Sequence, residues 1–519
     1  MSPDHVQQPG PSGAKADAPR PAKTARPQRS GWLRRALLAL IGALILLAVA
    51  LVIGALSSTS VQPEPEPAAP LEIGGDAAIE HLAAAIRLPT VSVEDLADFR
   101  GEPFRGFHEL LLRAYPCVHR VAKREVIADY SLLFAWEGSD PALAPGLFVS
   151  HSDVVPAEDP DAWTHPPFAG EVADGYVWGR GAHDDKGGVI ILFEAAEALC
   201  NAGFAPARTL YFAVDHDEET RGQGAKAIAS RLRAADVRLE FIIDEGLVIT
   251  TEILEGLDVP VALVGIAEKG LVTLELRVEI ADGHSSMPPR ESSAGILAAG
   301  LTRLEGSPFA YQLRSPLLEM LATLGPELPF ARRVLLTNLW LFKPLVIRAL
   351  AASDRSRAFL HTTTAITVVR AGIKENVLPR QASALVNYRI LPGDSVDGVL
   401  ARTREVLDDP RIELSPHDTI DPSEPSAISS TDSPAFAAIA AAVRAVRPEF
   451  IVAPSLMMAR TDSVHYADLA ENIYRFRPIQ LSKDEIAAIH GRDERVRTSA
   501  ILDAILIYAE LLRRIAGSN

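Results

Sequence analysis

Apolar runs alternate with helix-like segments along the chain between residues 71 and 269. Three of these runs are typical of buried β-strands and cover residues 146–150, 209–214 and 240–243. Residues 188–202 and 225–235 have the apolar spacing of helices. Strands that alternate with helices predict an α/β fold, built on a mostly parallel sheet with both faces covered.

The pattern changes after residue 269. Residues 271–280 alternate between apolar and polar, as in a strand with one solvated face, and residues 384–390 form a matching run. These runs bracket an inserted, smaller α+β domain, predicted at 270–405. Long helical patterns return further along the chain, so the main domain is predicted at 71–269 and 406–519.

The N-terminal part has the features of a membrane anchor. Residues 1–35 form a basic tail rich in Pro, Gly and Ala, with the composition of a disordered segment. Residues 36–56 carry no charge and are long enough to span a bilayer as a helix, and a Pro-rich linker covers 57–70. The basic tail predicts a single-pass transmembrane helix with a cytoplasmic N-terminus and an extracytoplasmic main domain. A secreted protein, released by signal cleavage, is the alternative.

Composition and charge narrow the class of protein. With 519 residues, of which 48% are hydrophobic, the chain can bury more than one core. Its net charge of −16 argues against nucleic-acid binding. The two cysteines, Cys117 and Cys200, lack metal-ligand spacing and predict no disulfide framework. Cys200 is expected to be a packed thiol at the end of a helix.

Residues 331–352 form a strongly apolar stretch that also carries four basic residues. One interpretation is a set of helices that packs on the inserted domain or at a subunit contact. The other is an apolar cover that contacts a lipid-like substrate or the membrane surface. The sequence alone leaves both interpretations open.

Imidazole and carboxylate side chains follow the three predicted strands of the main domain. These groups are His151 and Asp153 after the first strand, Glu218 and Glu219 after the second, and Asp244 after the third. Ligands collect beyond the carboxyl ends of strands in an open α/β sheet, so these groups are expected to converge. Several buried carboxylates would be costly unless cations neutralised them. The pattern therefore favours a metal-dependent hydrolase.

Five short motifs occur in order along the chain: HSDVVP at 151–156, GRGAHDDK at 179–186, DEE at 217–219, DEG at 244–246 and GHSSMPP at 283–289. Together they closely resemble the dizinc aminoacylase/carboxypeptidase family, in particular its carboxypeptidase S-like branch. The resemblance covers nearly all of residues 75–515. It implies a dizinc catalytic domain on the parallel sheet, with the insert at 270–405 as a lid or dimerisation domain.

The resemblance also implies a set of ligands for two zinc ions, in which Asp184 bridges the ions. The remaining ligands would be His151 and Asp244 for one ion, and Glu219 and His490 for the other. His490 lies in a motif, HGRDER, that resembles the family's C-terminal ligand motif, and His465 is the alternative. Imidazole and carboxylate ligands suit zinc, although Co²⁺ or Mn²⁺ would accept the same set.

The same resemblance implies roles in catalysis and substrate binding. Glu218 would act as general base for a hydroxide that bridges the two zinc ions, and Asp153 would hold the second ring nitrogen of the first histidine ligand. His284 would stabilise the oxyanion, often from a partner subunit. Asn376 and Arg389 resemble lid residues, and a guanidinium suits the capture of a substrate carboxylate.

The predicted function is hydrolysis of an amide bond next to a free carboxylate, in small peptides or N-acyl amino acids. One alternative is an N-acyl amino acid synthase/hydrolase that acts on lipid-like substrates, and another is a catalytically inactive binding protein. The resemblance is compatible with a homodimer through the inserted domain. Arg460 stands where family members often have glycine, so the substrate contacts at that position are left open.

Overall fold

The computed structural model describes residues 29–251, 253, 256–417 and 421–517. The chain divides into two compact units, Met1–Ile53 and Gly54–Asn519. The described residues of the first unit belong to a long helix, α1 (Arg29–Ser57), whose last turn belongs to the second unit.

Helix α1 contains the predicted anchor. Its segment Trp32–Ser57 is long and apolar enough to cross a membrane. Of the tail predicted at 1–35, residues up to 28 lie outside the described residues, and residues 29–35 belong to the helix.

The strands of the second unit divide among four sheets. In chain order they are β1 (Ala122–Ile127), β2 (Ser131–Trp136), β3 (Gly146–His151), β4 (Glu171–Ala173), β5 (Tyr176–Trp178), β6 (Leu210–Asp215), β7 (Phe241–Thr250), β8 (Val261–Glu268), β9 (Gly270–Glu279), β10 (Gly283–His284), β11 (Thr363–Ala371), β12 (Val377–Leu378), β13 (Gln381–Ile390), β14 (Glu413–Pro416), β15 (Ile451–Met457), β16 (Ile473–Gln480) and β17 (Arg495–Arg497).

Helices connect most of these strands. The helices predicted at 188–202 and 225–235 are confirmed, and they are α5 and α6 in the series below. In chain order the remaining helices are α2 (Gly75–Ile86), α3 (Gly101–Ala114), α4 (Pro116–Val121), α5 (Lys186–Asn201), α6 (Gln223–Ala234), α7 (Ser293–Glu305), α8 (Leu317–Leu324), α9 (Phe330–Thr337), α10 (Leu339–Leu350), α11 (Asp354–Arg357), α12 (Val396–Leu407), α13 (Pro434–Val446), α14 (Lys483–Ala487) and α15 (Thr498–Ala516).

The main sheet has eight strands in the order β1-β2-β6-β3-β7-β16-β8-β15. Its centre is parallel, because β3 pairs with β6 and β7, and β7 pairs with β16. Strands β1 and β2 add an antiparallel edge. The predicted α/β class with a largely parallel sheet is confirmed.

Both faces of the main sheet are covered, because side chains alternate between the two faces along each strand. On β3, Leu147 and Val149 pack in one core with residues of α6, whereas Phe148 packs in a larger core with residues of α5 and α15. The strands are thus buried on both sides, and only their ends can present polar groups to a ligand.

The inserted region forms a second sheet with its own core. Its four strands pair antiparallel in the order β11-β13-β9-β14, and helices α7 and α12 contribute apolar side chains to the same core. The runs at 271–280 and 384–390 correspond to β9 and β13, which pair along their length. Strand β14 extends this sheet to Pro416, beyond the expected boundary at 405.

The apolar stretch at 331–352 forms α9 and α10. Val346 of α10 is buried in a core cluster that also contains residues of α8 and Ile451 of β15. The stretch therefore packs at the edge of the main sheet rather than on the second sheet. Trp340 and Leu345 of α10 remain exposed, which keeps open the interpretation of a lipid contact.

The prediction for the two cysteines is wrong, since Cys117 and Cys200 form a disulfide. Cys117 lies on α4 and Cys200 near the end of α5, and their Cα atoms are 6.0 Å apart. The two cysteines are separated by 83 residues in the sequence, so their proximity depends on the packing of α4 on α5. The spacing of two cysteines does not encode such a tertiary contact.

Candidate metal centre and active site

Two parallel strands deliver polar groups to the same edge of the main sheet. Strand β3 ends at His151 and β6 ends at Asp215, and these two residues are partners in the register of the two strands. After β6 the chain turns through Glu218 and Glu219. The expected convergence of these groups therefore follows from the parallel pairing of β3 with β6.

The third strand differs from the expectation. Strand β7 continues to Thr250 rather than ending before Asp244. Its pairing with β16 passes from Asp244 to Leu247, so Glu245 and Gly246 form a bulge. Gly246 has a φ of 137°, which glycine adopts without a side-chain clash. Both bulge residues line the cavity that is described below.

Asp184 lies between two histidines. Its Oδ1 is 3.0 Å from Nε2 of His151, and its Oδ2 is 3.0 Å from Nε2 of His490. The same nitrogen of His490 lies 3.1 Å from Oε1 of Glu219. A carboxylate that offers each oxygen to a different group has the arrangement required of a ligand that bridges two ions.

His465, the alternative to His490, lies in another part of the site. Its Nε2 is 3.5 Å from Nη2 of Arg460. Burial, and after it the charge of Arg460, lowers the pKa of His465 to about 4, so the ring is neutral at pH 7. The structure brings His490 to Asp184 and Glu219.

Asp153 is fully buried and links two parts of the site. Its carboxylate accepts hydrogen bonds from the backbone N–H groups of Glu218 and Glu219, at 3.2 and 3.1 Å. Nδ1 of His151 lies 3.1 Å from the carbonyl oxygen of Asp153 and 3.3 Å from its Oδ1. Contacts at Nδ1 orient the ring and leave Nε2 of His151 for Asp184.

Asp244 is held by backbone groups. Its Oδ1 accepts a hydrogen bond from the backbone N–H of Glu245 at 2.8 Å, and its Oδ2 accepts one from the backbone N–H of Ser463 at 2.7 Å. The hydroxyl of Ser463 in turn accepts a hydrogen bond from Nη2 of Arg475 at 2.8 Å. The carboxylate of Asp244 is therefore hydrogen-bonded to the backbone of Ser463. The other predicted ligands are in mutual contact: His151, Asp184, Glu219 and His490.

Glu494, a residue outside the predicted set, holds the loop that carries Asp184. Its buried carboxylate pairs with Nη1 of Arg180 at 2.6 Å. It also accepts hydrogen bonds from the backbone N–H groups of Gly181, His183 and Asp184, at 3.0, 2.9 and 3.1 Å. Its place in the HGRDER motif, close to a predicted ligand, is the sequence signal that could have identified it.

A second buried ion pair, between Arg477 and Asp185, supports the same loop. Nη1 of Arg477 donates a hydrogen bond to the carbonyl oxygen of His183 at 2.8 Å. Oδ2 of Asp185 accepts one from the backbone N–H of His151 at 3.1 Å, which ties the loop to the end of β3. The peptide bond between Asp184 and Asp185 is cis.

Burial disfavours the charged form of several acidic groups of the site. Burial raises the pKa of Glu218 well above its usual value, and repulsion from Glu245 and Glu219 adds to the rise although His151 opposes it. Burial likewise raises the pKa of Glu219 and of Asp244. Divalent cations would neutralise these carboxylates, and the imidazole and carboxylate donors suit zinc, Co²⁺ or Mn²⁺. The residues present therefore fit a metal centre.

A cavity of about 390 Å³ opens beside these groups. Asp184, Glu218 and Glu219 contribute acidic groups to its lining, and Arg389 and Arg460 contribute basic ones. The structure thus places the expected general base and the expected carboxylate-binding arginine in one cavity.

His284 and Asn376 lie together but outside the lining of this cavity. Strand β10, which ends at His284, pairs with β12, and the carbonyl oxygen of Asn376 accepts a hydrogen bond from Ser285 at 3.2 Å. Both side chains are exposed. Within the described part of this single chain, the cavity is formed without these two residues.

Comparison with known proteins agrees with the site. The profile of peptidase family M20/M25/M40 matches residues 147–514. A probable carboxypeptidase S-like 2 from Dictyostelium discoideum is 39% identical over 485 residues, which cover 91% of this chain and 92% of that protein. The N-fatty-acyl-amino acid synthase/hydrolase PM20D1 from Xenopus tropicalis is 39% identical over 446 residues, which cover 85% of this chain and 86% of that protein. Among solved structures, human carnosine dipeptidase 1 shares the fold with a TM-score of 0.59 at 17% identity, covering 85% of this chain and 96% of that one.

Proposed function

The chain belongs to peptidase family M20/M25/M40, and from this membership and the geometry of the site we propose that it hydrolyses the amide bond next to a free carboxylate in small peptides or N-acyl amino acids. A metallopeptidase or amidohydrolase is the class that the family supports. The observation that carries the proposal is the position of Asp184, whose oxygens face His151 and His490 beside a cavity lined by Glu218 and Arg389.

The proposed metal centre would hold two zinc ions, with Asp184 as the ligand shared by both. The other proposed ligands are His151 and Asp244 for one ion, and Glu219 and His490 for the other. When bound, zinc supplies a Lewis acid for the substrate carbonyl and lowers the pKa of a coordinated water to about 7. The chain itself orients the donors, because Asp153 fixes the ring of His151 and Glu494 fixes the backbone of Asp184.

Glu218 is the proposed proton carrier. Its side chain lines the cavity, and its backbone is held by the carboxylate of Asp153. Glu218 would accept a proton from the attacking water and pass it to the nitrogen of the leaving amino acid. A single carboxylate can carry out both proton transfers because the attacking oxygen and the leaving nitrogen are bonded to the same tetrahedral carbon.

The substrate is proposed to be oriented by groups of the second sheet. Arg389 would pair with the free carboxylate of the leaving amino acid, since a guanidinium binds a carboxylate through two parallel hydrogen bonds. His284, with Asn376 beside it, would reach the site of a partner subunit in a homodimer formed through the insert at 270–405. There His284 would stabilise the negative charge that develops on the carbonyl oxygen.

A second candidate function is that of an N-acyl amino acid synthase/hydrolase on lipid-like substrates. The identity of 39% with the PM20D1 protein of Xenopus tropicalis, over 85% of this chain, favours this candidate. Synthesis and hydrolysis use the same bond and the same site, so concentrations would set the direction. An inactive binding protein is disfavoured, since each residue proposed for catalysis is present.

We also propose that α1 anchors the chain as a single-pass helix, with the catalytic unit outside the cytoplasm. The disulfide between Cys117 and Cys200 supports this placement, because disulfides persist in oxidising compartments. Secretion after signal cleavage would place the catalytic unit in the same compartment. Detection of the N-terminal tail on the membrane-bound protein distinguishes the two forms.

Amino acid release is the experiment that tests the proposed function. The purified full chain is assayed in detergent with dipeptides and with N-acyl amino acids of short and long acyl chains, after zinc loading and after chelation. Release is expected to disappear with chelator and to return with zinc, and the variant Glu218→Gln is expected to release little. Absence of release from zinc-loaded protein across the whole panel contradicts the proposal.

A further inference from the structure

Three guanidinium groups line the cavity without a carboxylate partner among the described residues, those of Arg221, Arg389 and Arg460. Arg221 is exposed and donates a hydrogen bond to a backbone carbonyl oxygen, whereas Arg389 and Arg460 have no oxygen acceptor among the described residues. Nη2 of Arg460 lies 3.5 Å from Nε2 of His465. Arg389 and Arg460 are half-buried. Because the described part of the chain gives these two half-buried cations no ion-pair partner, a bound anion would stabilise them.

Both arginines lie near the point where β8 ends and β9 begins. Arg389 lies on β13, where it pairs with Leu271 at the beginning of β9. Arg460 precedes Thr461, whose N–H and hydroxyl donate hydrogen bonds to Glu268 at 3.2 and 3.1 Å. Glu268 is the last residue of β8. Their positions therefore depend on regular structure at the junction of the two sheets.

Three titratable groups respond to the positive charge in this part of the cavity. Burial, and after it the charge of Arg389, lowers the pKa of Lys269 to about 8. Burial lowers the pKa of Arg389 as well, and Arg460 adds to this effect. Arg460 also contributes to the low pKa of His465, after burial. Burial is the largest cause in all three groups, and the neighbouring arginines add to it.

Two carboxylates near the β8–β9 junction have other arginine partners. Glu268 lies 3.4 Å from Arg475, and Asp394 pairs with Arg314 at 3.1 Å. The ion pairs of the described residues include none between Arg389 or Arg460 and the acidic groups of the cavity. A substrate carboxylate would therefore supply an ion-pair partner that the described residues do not provide.

We propose that Arg389 and Arg460 form a dicarboxylate subsite, in which Arg389 binds the α-carboxylate of the leaving amino acid and Arg460 binds a carboxylate on its side chain. This inference rests on the proposed function and narrows the substrate to an N-acyl aspartate or glutamate, or to a peptide that ends in one of them. Two carboxylates neutralise two guanidinium groups, whereas a monocarboxylate leaves one of them unpaired.

The test compares N-acetylglutamate with N-acetylglutamine, which have nearly the same size and differ in side-chain charge. The zinc-loaded full chain is expected to have a higher kcat/KM for the glutamate substrate. In Arg460→Gln this preference should fall by about 10- to 100-fold, the range for a hydrogen bond to a charged group. Arg460→Lys should retain part of the preference, because the charge remains while the two-point geometry is lost.

Two further variants separate the roles of the arginines. Arg389→Gln is expected to lower kcat/KM for both substrates alike, because both carry an α-carboxylate. Arg221→Gln is the matched control, since Arg221 lines the same cavity but donates a hydrogen bond to the carbonyl oxygen of Glu94 at 2.8 Å. It should leave the preference unchanged. Thermal unfolding checks that every variant is folded.

The outcomes distinguish this inference from the function on which it rests. Equal kcat/KM for the two substrates in the unmodified chain overturns the subsite, provided that N-acetylleucine is hydrolysed. An equal loss for both substrates in Arg460→Gln also overturns it, because Arg460 would then bind the α-carboxylate. If no substrate of the set gives chelator-sensitive release, the proposed function itself fails.

Discussion

The backbone N–H of Asp184 donates a hydrogen bond to Oε1 of Glu494 at 3.1 Å, so a carboxylate that is not a proposed ligand positions the proposed bridging ligand. Glu494 is fully buried, and its charge is balanced by Arg180 at 2.6 Å. His490 belongs to the same short segment as Glu494. One segment of chain therefore supplies one proposed ligand and orients another.

Glu494→Gln is expected to weaken metal binding and to lower stability. The substitution leaves Arg180 as a buried charge without a carboxylate partner, which typically costs about 3–5 kcal/mol of unfolding free energy. Loss of an outer contact to a metal ligand typically weakens metal affinity about 10- to 100-fold. Competition with a chromophoric chelator measures the affinity, and urea unfolding measures the stability.

Glu510→Gln is the matched control for Glu494→Gln. Glu510 is also buried and pairs with an arginine, Arg514, at 2.7 Å, but it lies on α15 and contacts none of the proposed ligands. It should lower stability without changing zinc affinity. Identical zinc affinities for the two variants would show that Glu494 has a structural role only.

Glu218→Gln is expected to lower kcat by about 100- to 10,000-fold, the usual contribution of a general base. Zinc content should stay unchanged, because Glu218 is not a proposed ligand. Elemental analysis and steady-state kinetics measure the two quantities on the same preparation. Glu94→Gln, at an exposed acidic residue, is the control and should retain full activity. A kcat for Glu218→Gln close to that of the control contradicts the proposed role.

The metal-free protein is expected to lose stability as pH rises through the acidic range. Burial raises the folded-state pKa of Glu219 and of Asp244 above the unfolded values. Such groups hold protons more tightly in the folded state, so their contribution to stability falls as pH rises from the unfolded pKa to the folded one. Bound zinc neutralises the carboxylates, so the zinc-loaded protein should lack this fall.

Urea unfolding across the acidic range, with and without zinc, measures this difference. Calorimetry in buffers of different ionisation enthalpy should also show that zinc displaces protons from the metal-free site. The opposite outcome is that the unfolding free energies of the metal-free and zinc-loaded proteins change with pH in parallel and that no protons are released when zinc binds. That result would mean that these carboxylates are already ionised without metal.

Much of the candidate site could be predicted because its groups follow strands in short motifs. His151 and Glu219 lie near the ends of β3 and β6, where a buried apolar run gives way to polar residues. The pairing of β9 with β13 was likewise visible in the alternation of both runs. In each case the local pattern contains the physical cause of the structure.

Other features depend on contacts that no local pattern contains. The ion pair of Glu494 with Arg180 joins residues that are 314 positions apart in the sequence, and each residue alone is an ordinary charged side chain. The continuation of β7 past Asp244 requires a bulge, whereas two acidic residues and a glycine usually indicate the end of a strand. Helices α8, α9 and α10 pack beside β15 through tertiary contacts between apolar side chains.

Removal of the disulfide is expected to lower stability without affecting catalysis. The bond between Cys117 and Cys200 closes a long loop, since the sequence separation is 83 residues, and it contacts none of the proposed ligands. The double variant Cys117→Ser, Cys200→Ser should lose about 2–5 kcal/mol of unfolding free energy. Dithiothreitol should lower the Tm of the unmodified chain but not that of the double variant. An unmodified chain that is insensitive to reductant would show that the purified protein carries thiols.

Complementation between two inactive variants tests whether His284 acts on a partner's site. His284 is exposed and outside the lining of its own cavity, so His284→Ala and Glu218→Gln should each be inactive for a different reason. In a mixed dimer, the His284→Ala subunit keeps its Glu218 and receives His284 from the other subunit. Random exchange at equal amounts makes half of the dimers mixed, each with one complete site, so about a quarter of the full activity should return. No recovery, in a mixture shown by mass measurement to contain mixed dimers, would mean that His284 does not serve the partner's site.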